Sequence, residues 1–167
     1  SAMRWAGALN LDATGSPTGD ALKIDPARVA MFGHSQGGTH LALIAPHVPL
    51  RAVVLSGVGG QLSAGLLDKT EPVNIASALP VVLLDPYATS ASRCTVISGS
   101  GQPLCMGARH PALAILQTFF DAVDPLNFAA RLADPAEGAA PANVLVTFGP
   151  GDSYTPESTT RAYAQAA

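Results

Sequence analysis

Three short apolar runs stand out along the chain: residues 28–33 (RVAMFG), 51–57 (RAVVLSG) and 143–149 (NVLVTFG). Each is nearly continuous rather than alternating and each ends in glycine, the pattern of a parallel strand covered on both faces. Between the first two, residues 36–45 read as a helix that Pro46 stops. Strand, helix and strand within about 30 residues form a right-handed crossover unit, so the predicted fold class is α/β, a parallel sheet with flanking helices.

The pattern changes over residues 61–142, which are rich in Pro, Gly, Ser and Ala. An apolar run occupies residues 80–85. A helical stretch follows at 111–123, where Leu113, Leu116, Phe120 and Val123 recur at steps of three and four and make an apolar face. Asp124 and Pro125 read as the cap and first residue of a further short helix reaching Leu132. So long a stretch exceeds a plain loop between two strands. The organisation expected is a core of residues 1–60 and 143–167 with residues 61–142 inserted as a cap or lid layer. The alternative is an ordinary sheet-covering helix with long connections.

A chain of 167 residues with 48 % hydrophobic content can bury one domain's core. Only 13 % of residues are charged and the net charge is −3, which argues against a nucleic-acid partner or an acidic membrane surface. No apolar run approaches the roughly 18 residues of a transmembrane helix. The start, Ser1-Ala2-Met3, has no basic-then-apolar signal pattern, so the expectation is a processed native start or a cloning scar. Cys94 and Cys105 enclose a polar, Gly-rich loop. A disulfide between them would favour a secreted or periplasmic location; two free thiols are the alternative. Their spacing does not suit zinc, and no metal or cofactor is expected.

Chemistry enters at Gly33-His34-Ser35-Gln36-Gly37-Gly38, directly after the first strand and directly before its helix. A lone G-x-S-x-G is weak, but the strand-to-helix context is what a nucleophile elbow requires. Ser35 would sit in a strained turn with Oγ exposed, and Gly33 and Gly37 would leave room for the close strand and helix backbones, with Gly38 adding space. After the third strand comes Gly149-Pro150-Gly151-Asp152-Ser153-Tyr154-Thr155-Pro156. Open α/β sheets assemble their sites at this end of the strands. Thr155 is positioned to cap the next helix, with Pro156 first and Glu157 in the first turn. Asp152 can be an acid facing the site or simply a turn residue. Gly57-Val58-Gly59-Gly60 lacks the lysine and spacing of a phosphate loop and reads as a rim of the site.

The GHSQGG elbow, followed more than a hundred residues later by strand, GPGDSYTP and helix, resembles the α/β-hydrolase superfamily on its esterase and lipase side. The likeness covers residues 20–60 and 143–167. It implies a serine hydrolase acting on carboxylic esters, small-molecule or lipid, with Ser35 as nucleophile, Asp152 as triad acid and the Gln36 amide as one oxyanion donor. Such a site needs an imidazole to take the serine proton, and in this family the histidine follows the acid. None follows Asp152. His34 adjoins the nucleophile and His40 is placed on another face of the helix. His47 lies in a connection. His110 opens the 111–123 helix and could swing over the site only against the family order.

The resemblance therefore implies a partial α/β-hydrolase fold, the central portion, with the triad histidine and the second oxyanion donor supplied elsewhere and the isolated chain nearly inactive. The three strands would lie side by side, leaving outer edges for self-association or for pairing with the complementary segments. A fold kept as a non-catalytic binding or assembly module is the alternative, and acyl transfer to an acceptor other than water uses the same triad.

Overall fold

The computed structural model describes residues 10–11, 22–83, 94–96, 103–107, 110–134 and 140–167. A two-residue antiparallel pair, β1 (Asn10–Leu11) with β2 (Leu22–Lys23), precedes the main sheet. β3 (Ala30–His34) then leads through Ser35 into α1 (Gln36–Ile44), and a short 3-10 turn containing Pro46 ends that helix. The chain returns as β4 (Ala52–Ser56) and continues into α2 (Leu62–Asp68) and α3 (Ile75–Leu83). β5 (Cys94–Val96) pairs antiparallel with β6 (Pro103–Cys105), with Cys94 opposite Cys105 in the backbone register. After α4 (Pro111–Phe120) and a 3-10 segment (Pro125–Leu132) come β7 (Asn143–Thr147) and α5 (Glu157–Ala166).

The three apolar runs are the three strands of one parallel sheet, ordered β3-β4-β7. This is an α/β architecture. Paired residues share a face, so Phe32, Val54 and Leu145 stand in one row, and Val53 and Leu55 look the other way with Met31, Val144 and Val146. Val53 and Leu55 are fully buried against Leu41 and Ala42 of α1, Ala129 and Leu132 of the 3-10 segment and Tyr163 of α5. Each such aliphatic side chain contributes about 1.5–3 kcal/mol by leaving water.

The expectation that the strands are covered on both faces is corrected here. Phe32 is 69 % and Leu145 55 % exposed, so their face is open while α1, α5 and the 3-10 segment cover the other. The chain advances in one direction from β3 to β4 to β7, and right-handed crossovers made in one direction lay their connections on one side. β3 and β7 form the outer strands.

A second, smaller core lies within the long connection between β4 and β7. Leu67 of α2, Leu79 of α3, Met106 and Leu113 of α4 bury one another, with Leu66, Ile75, Leu83 and Leu116 around them. Of the apolar run at 80–85, residues 80–83 form the end of α3, and 84 and 85 lie outside the described residues. Leu113 and Leu116 face inward as their spacing predicts, but α4 ends at Phe120 and Val123 beyond it is 50 % exposed. The 3-10 segment belongs with the sheet, because Ala129 and Leu132 join the main core. Among the described residues, no helix is long and apolar enough to cross a membrane.

Tyr163 has no exposure, and its hydroxyl has no hydrogen-bond partner among the described residues. Burial disfavours the phenolate and pushes its pKa from 10.0 up to about 12. Between those values the unfolded chain loses the proton and the folded chain keeps it. Stability is thus intact below pH 10 and falls as pH rises toward 12. Tyr163→Phe is expected to abolish that alkaline decline and to cost little at pH 7, as urea midpoints at pH 7, 10 and 11 will show.

Candidate active site

The bend between β3 and α1 is the most constrained backbone in the sheet. Ser35 has φ 52° and ψ −124°, a conformation that costs a residue with a Cβ about 1–3 kcal/mol. Its amide donates to the Ser56 carbonyl at 2.8 Å, which ties the turn to β4. Strand and helix meet so closely that a Cβ on Gly33 would lie 2.6 Å from the Gly37 carbonyl oxygen and 2.8 Å from Gly38 Cα. On Gly38 it would lie 3.2 Å from the carbonyl oxygens of both Gly33 and Ser56. Gly37 has open space around it, so the expected need for a glycine there is corrected: the pair that permits the approach is Gly33 and Gly38.

The Gln36 amide opens α1 and has no intrahelical acceptor, which leaves it free to meet an anion beside Ser35. The Ser35 side chain makes no capping bond to the helix.

Asp152 follows β7 across a turn in which Gly151 takes φ 73°. Its Oδ1 accepts from the amides of Tyr154 and Thr155, both at 2.9 Å. The capping role expected of Thr155 is corrected: Pro156 stands at the N-cap of α5 with Glu157 as its first residue and no side-chain capping bond, and Asp152 braces the turn that precedes the helix. Asp152 is thus a turn residue on one oxygen. The other is aimed elsewhere: the position of a Cβ on Gly57 is 3.8 Å from Asp152 Oδ2 and 4.0 Å from Ser35 Cα. Gly57, at φ 60°, follows β4 and separates the serine from the carboxylate. A side chain there would fill the space between them.

Ser35 opens into a groove of about 650 Å³. One wall is α1, through Gln36, Thr39, His40 and Leu43; the other is α2, through Leu62, Leu66 and Lys69. Gly59 and Gly60 form part of its floor, and the start of α5 closes it. His40, expected on another face of the helix, lines the same groove as Ser35. His34 is exposed, with Nδ1 3.1 Å from Ser56 Oγ. His47 meets the Phe128 ring edge-on. His110 is buried as the N-cap of α4, its Nδ1 accepting from Ala112, so it is not a ring poised over the site. Among the described residues, no histidine is hydrogen-bonded to Ser35 or Asp152.

The sheet thus brings Ser35 and Asp152, 117 positions apart in sequence, to either side of Gly57 at its carboxyl edge. The groove residues His40 and Lys69 carried no motif and emerge only from helix packing. Comparison of this chain with protein-family models, with curated proteins and with solved structures finds no match.

Proposed function

We propose that this chain carries the nucleophile and acid of a serine ester hydrolase of the α/β-hydrolase kind, with residues 61–123 as its cap. The observation that carries the reading is the backbone of Ser35, at φ 52° and ψ −124° on a strand-to-helix bend, with Asp152 Oδ2 across Gly57. Strain of this sort persists where surrounding structure holds it, and it clusters at reacting groups. The separate small core of α2, α3 and α4 supports the cap.

In this reading an imidazole takes the Ser35 proton as Oγ bonds to the ester carbonyl carbon. The Gln36 amide stabilises the oxyanion, and Asp152 Oδ2 steadies the imidazolium. Collapse expels the alcohol, which receives that proton, and water then releases the acid from Ser35 by the same route. None of the four histidines stands bonded to Ser35, so the imidazole comes from outside their present positions. That same observation favours the second reading, a fold kept for binding without chemistry.

One experiment separates them. Incubation with a fluorophosphonate probe is expected to label Ser35 slowly, and added free imidazole to raise the rate by about tenfold or more by standing in for the base. Ser35→Ala is expected to abolish labelling, with the site located by peptide mass spectrometry. A folded chain that stays unlabelled in imidazole, or that labels equally as Ser35→Ala, sinks the hydrolase reading.

A further inference from the structure

The groove beside Ser35 has a composition that the ester chemistry does not require. Its apolar wall is Leu43, Leu62, Leu66 and Val123, and among the described residues its only charged lining residue is Lys69. Leu62, Leu66 and Lys69 follow one another at steps of four and three, so one stripe of α2 runs from two leucines to a cation.

Lys69 is half-buried and forms no ion pair with any described residue. The carboxylates nearest it in the chain are otherwise placed: Asp68 accepts from the Ser158 hydroxyl at 2.8 Å, and Glu71 is exposed. Thr70 and Glu71 donate their amides to the Ser153 carbonyl at 3.1 and 3.2 Å, which pins the Lys69 end of α2 beside the Asp152 turn. The cation-bearing end of this stripe therefore lies beside the turn that carries Asp152. The N-termini of α1 and α5 also open on the groove, adding partial positive charge. Among the described residues no Asp or Glu lines it, so this lining is cationic in a chain of net charge −3.

We infer that the groove binds an anionic amphiphile, with an aliphatic chain along Leu43, Leu62, Leu66 and Val123 and an acidic group on Lys69. An unpaired ammonium partly removed from water gains most from a carboxylate that completes its hydrogen bonds. The volume, about 650 Å³, falls within the usual range for small-molecule sites. Applied to catalysis, which rests on the hydrolase reading, the substrate class is an aliphatic ester that bears a carboxylate close to the scissile group. The binding itself does not depend on that reading.

The test uses Ser35→Ala, so no chemistry intervenes, and two probes of equal chain length, octanoate and octan-1-ol. Binding is followed by titration calorimetry and by NMR shifts of the α2 amides. Octanoate is expected to bind about tenfold more tightly than the alcohol. Adding Lys69→Met should remove that preference and leave octan-1-ol within twofold, whereas Lys69→Arg should keep it. Raising the salt from about 0.05 to 0.5 M should weaken octanoate alone. Equal binding of the two probes, no octanoate binding, or a preference unchanged in a folded Lys69→Met chain overturns the inference. Fluorophosphonate labelling of Ser35 is read separately, so loss of either conclusion is distinguishable from loss of the other.

Discussion

Ser35→Gly is expected to stabilise the folded chain by about 1 kcal/mol while abolishing all reaction with fluorophosphonates. The gain comes from the bend. At φ 52° and ψ −124° a residue with a Cβ bears about 1–3 kcal/mol of strain. Glycine relieves it but brings about 0.5–1 kcal/mol of extra entropy into the unfolded chain. The balance stays positive and corresponds to a rise in melting temperature of about 2–4 °C for a chain of this size. Ser35→Ala is the matched control. It removes the hydroxyl and keeps the Cβ, so reaction is lost with no stability gained. A Ser35→Gly chain less stable than the parent, or an Ala variant stabilised to the same extent, would mean that the bend holds no strain. The central observation behind the hydrolase reading would then be void.

That bend was legible because its signals are local. Gly33, Ser35 and the apolar run at 28–33 lie within a dozen residues, and the hard-sphere limits on strand-to-helix turns act at that range. The parallel sheet was equally legible, because three unbroken apolar runs separated by crossovers admit few arrangements. The same runs misled in one respect: unbroken hydrophobicity in β3 and β7 reads as burial on both faces, yet Phe32 and Leu145 are exposed. Apolar character states what a face can bury, and coverage depends on which side the crossovers fall.

The glycine assignment shows a similar boundary. Sequence spacing pairs Gly33 with Gly37, but a helix turning away from the strand carries position 37 outward and presses position 38 onto the Gly33 and Ser56 carbonyls. Asp152 was expected as either a turn residue or an acid; its Oδ1 takes the turn role, and its Oδ2 faces Gly57. The groove was not legible at all. Its walls come from α1 and α2, whose relative placement depends on the packing of a connection that shows no periodic signature beyond α4.

Asp124 is the position where that long-range order concentrates, and Asp124→Ala is expected to destabilise the chain by about 4 kcal/mol. The sequence shows it as a local cap, and it is one: Oδ1 accepts from the Leu126 amide at 3.0 Å at the head of the 3-10 segment. Two of its other bonds reach back some 60 residues. Oδ1 also accepts from the Gln61 amide at 3.0 Å, and Oδ2 accepts from the Leu62 amide and from Gln117 Nε2, both at 2.8 Å. Gln117 Oε1 takes the next α2 amide, from Ser63, at 3.1 Å.

Three successive amides at the start of α2 thus find acceptors on side chains outside their own helix, and Gln61 holds a left-handed turn to present them. A seven-residue helix has little stability of its own, so these bonds fix it in place. Alanine leaves three backbone amides without acceptors around a fully buried position and Gln117 Nε2 with only its bond to Asp121 Oδ1. Each buried donor left unmade costs about 1–3 kcal/mol, against a total stability of roughly 5–15 kcal/mol, and partial access of water to the gap holds the sum near the lower part of that span. Asp124→Asn keeps one acceptor oxygen but turns an amino group toward donors, so it should lose about half as much.

Urea denaturation measures both variants. Because α2 carries Leu62, Leu66 and Lys69, octanoate binding should fail in Asp124→Ala, under conditions where the chain remains folded, before the β3–α1 bend is disturbed. An Asp124→Ala chain within 1 kcal/mol of the parent would show that water or neighbouring groups satisfy α2, and that the groove wall stands without this carboxylate.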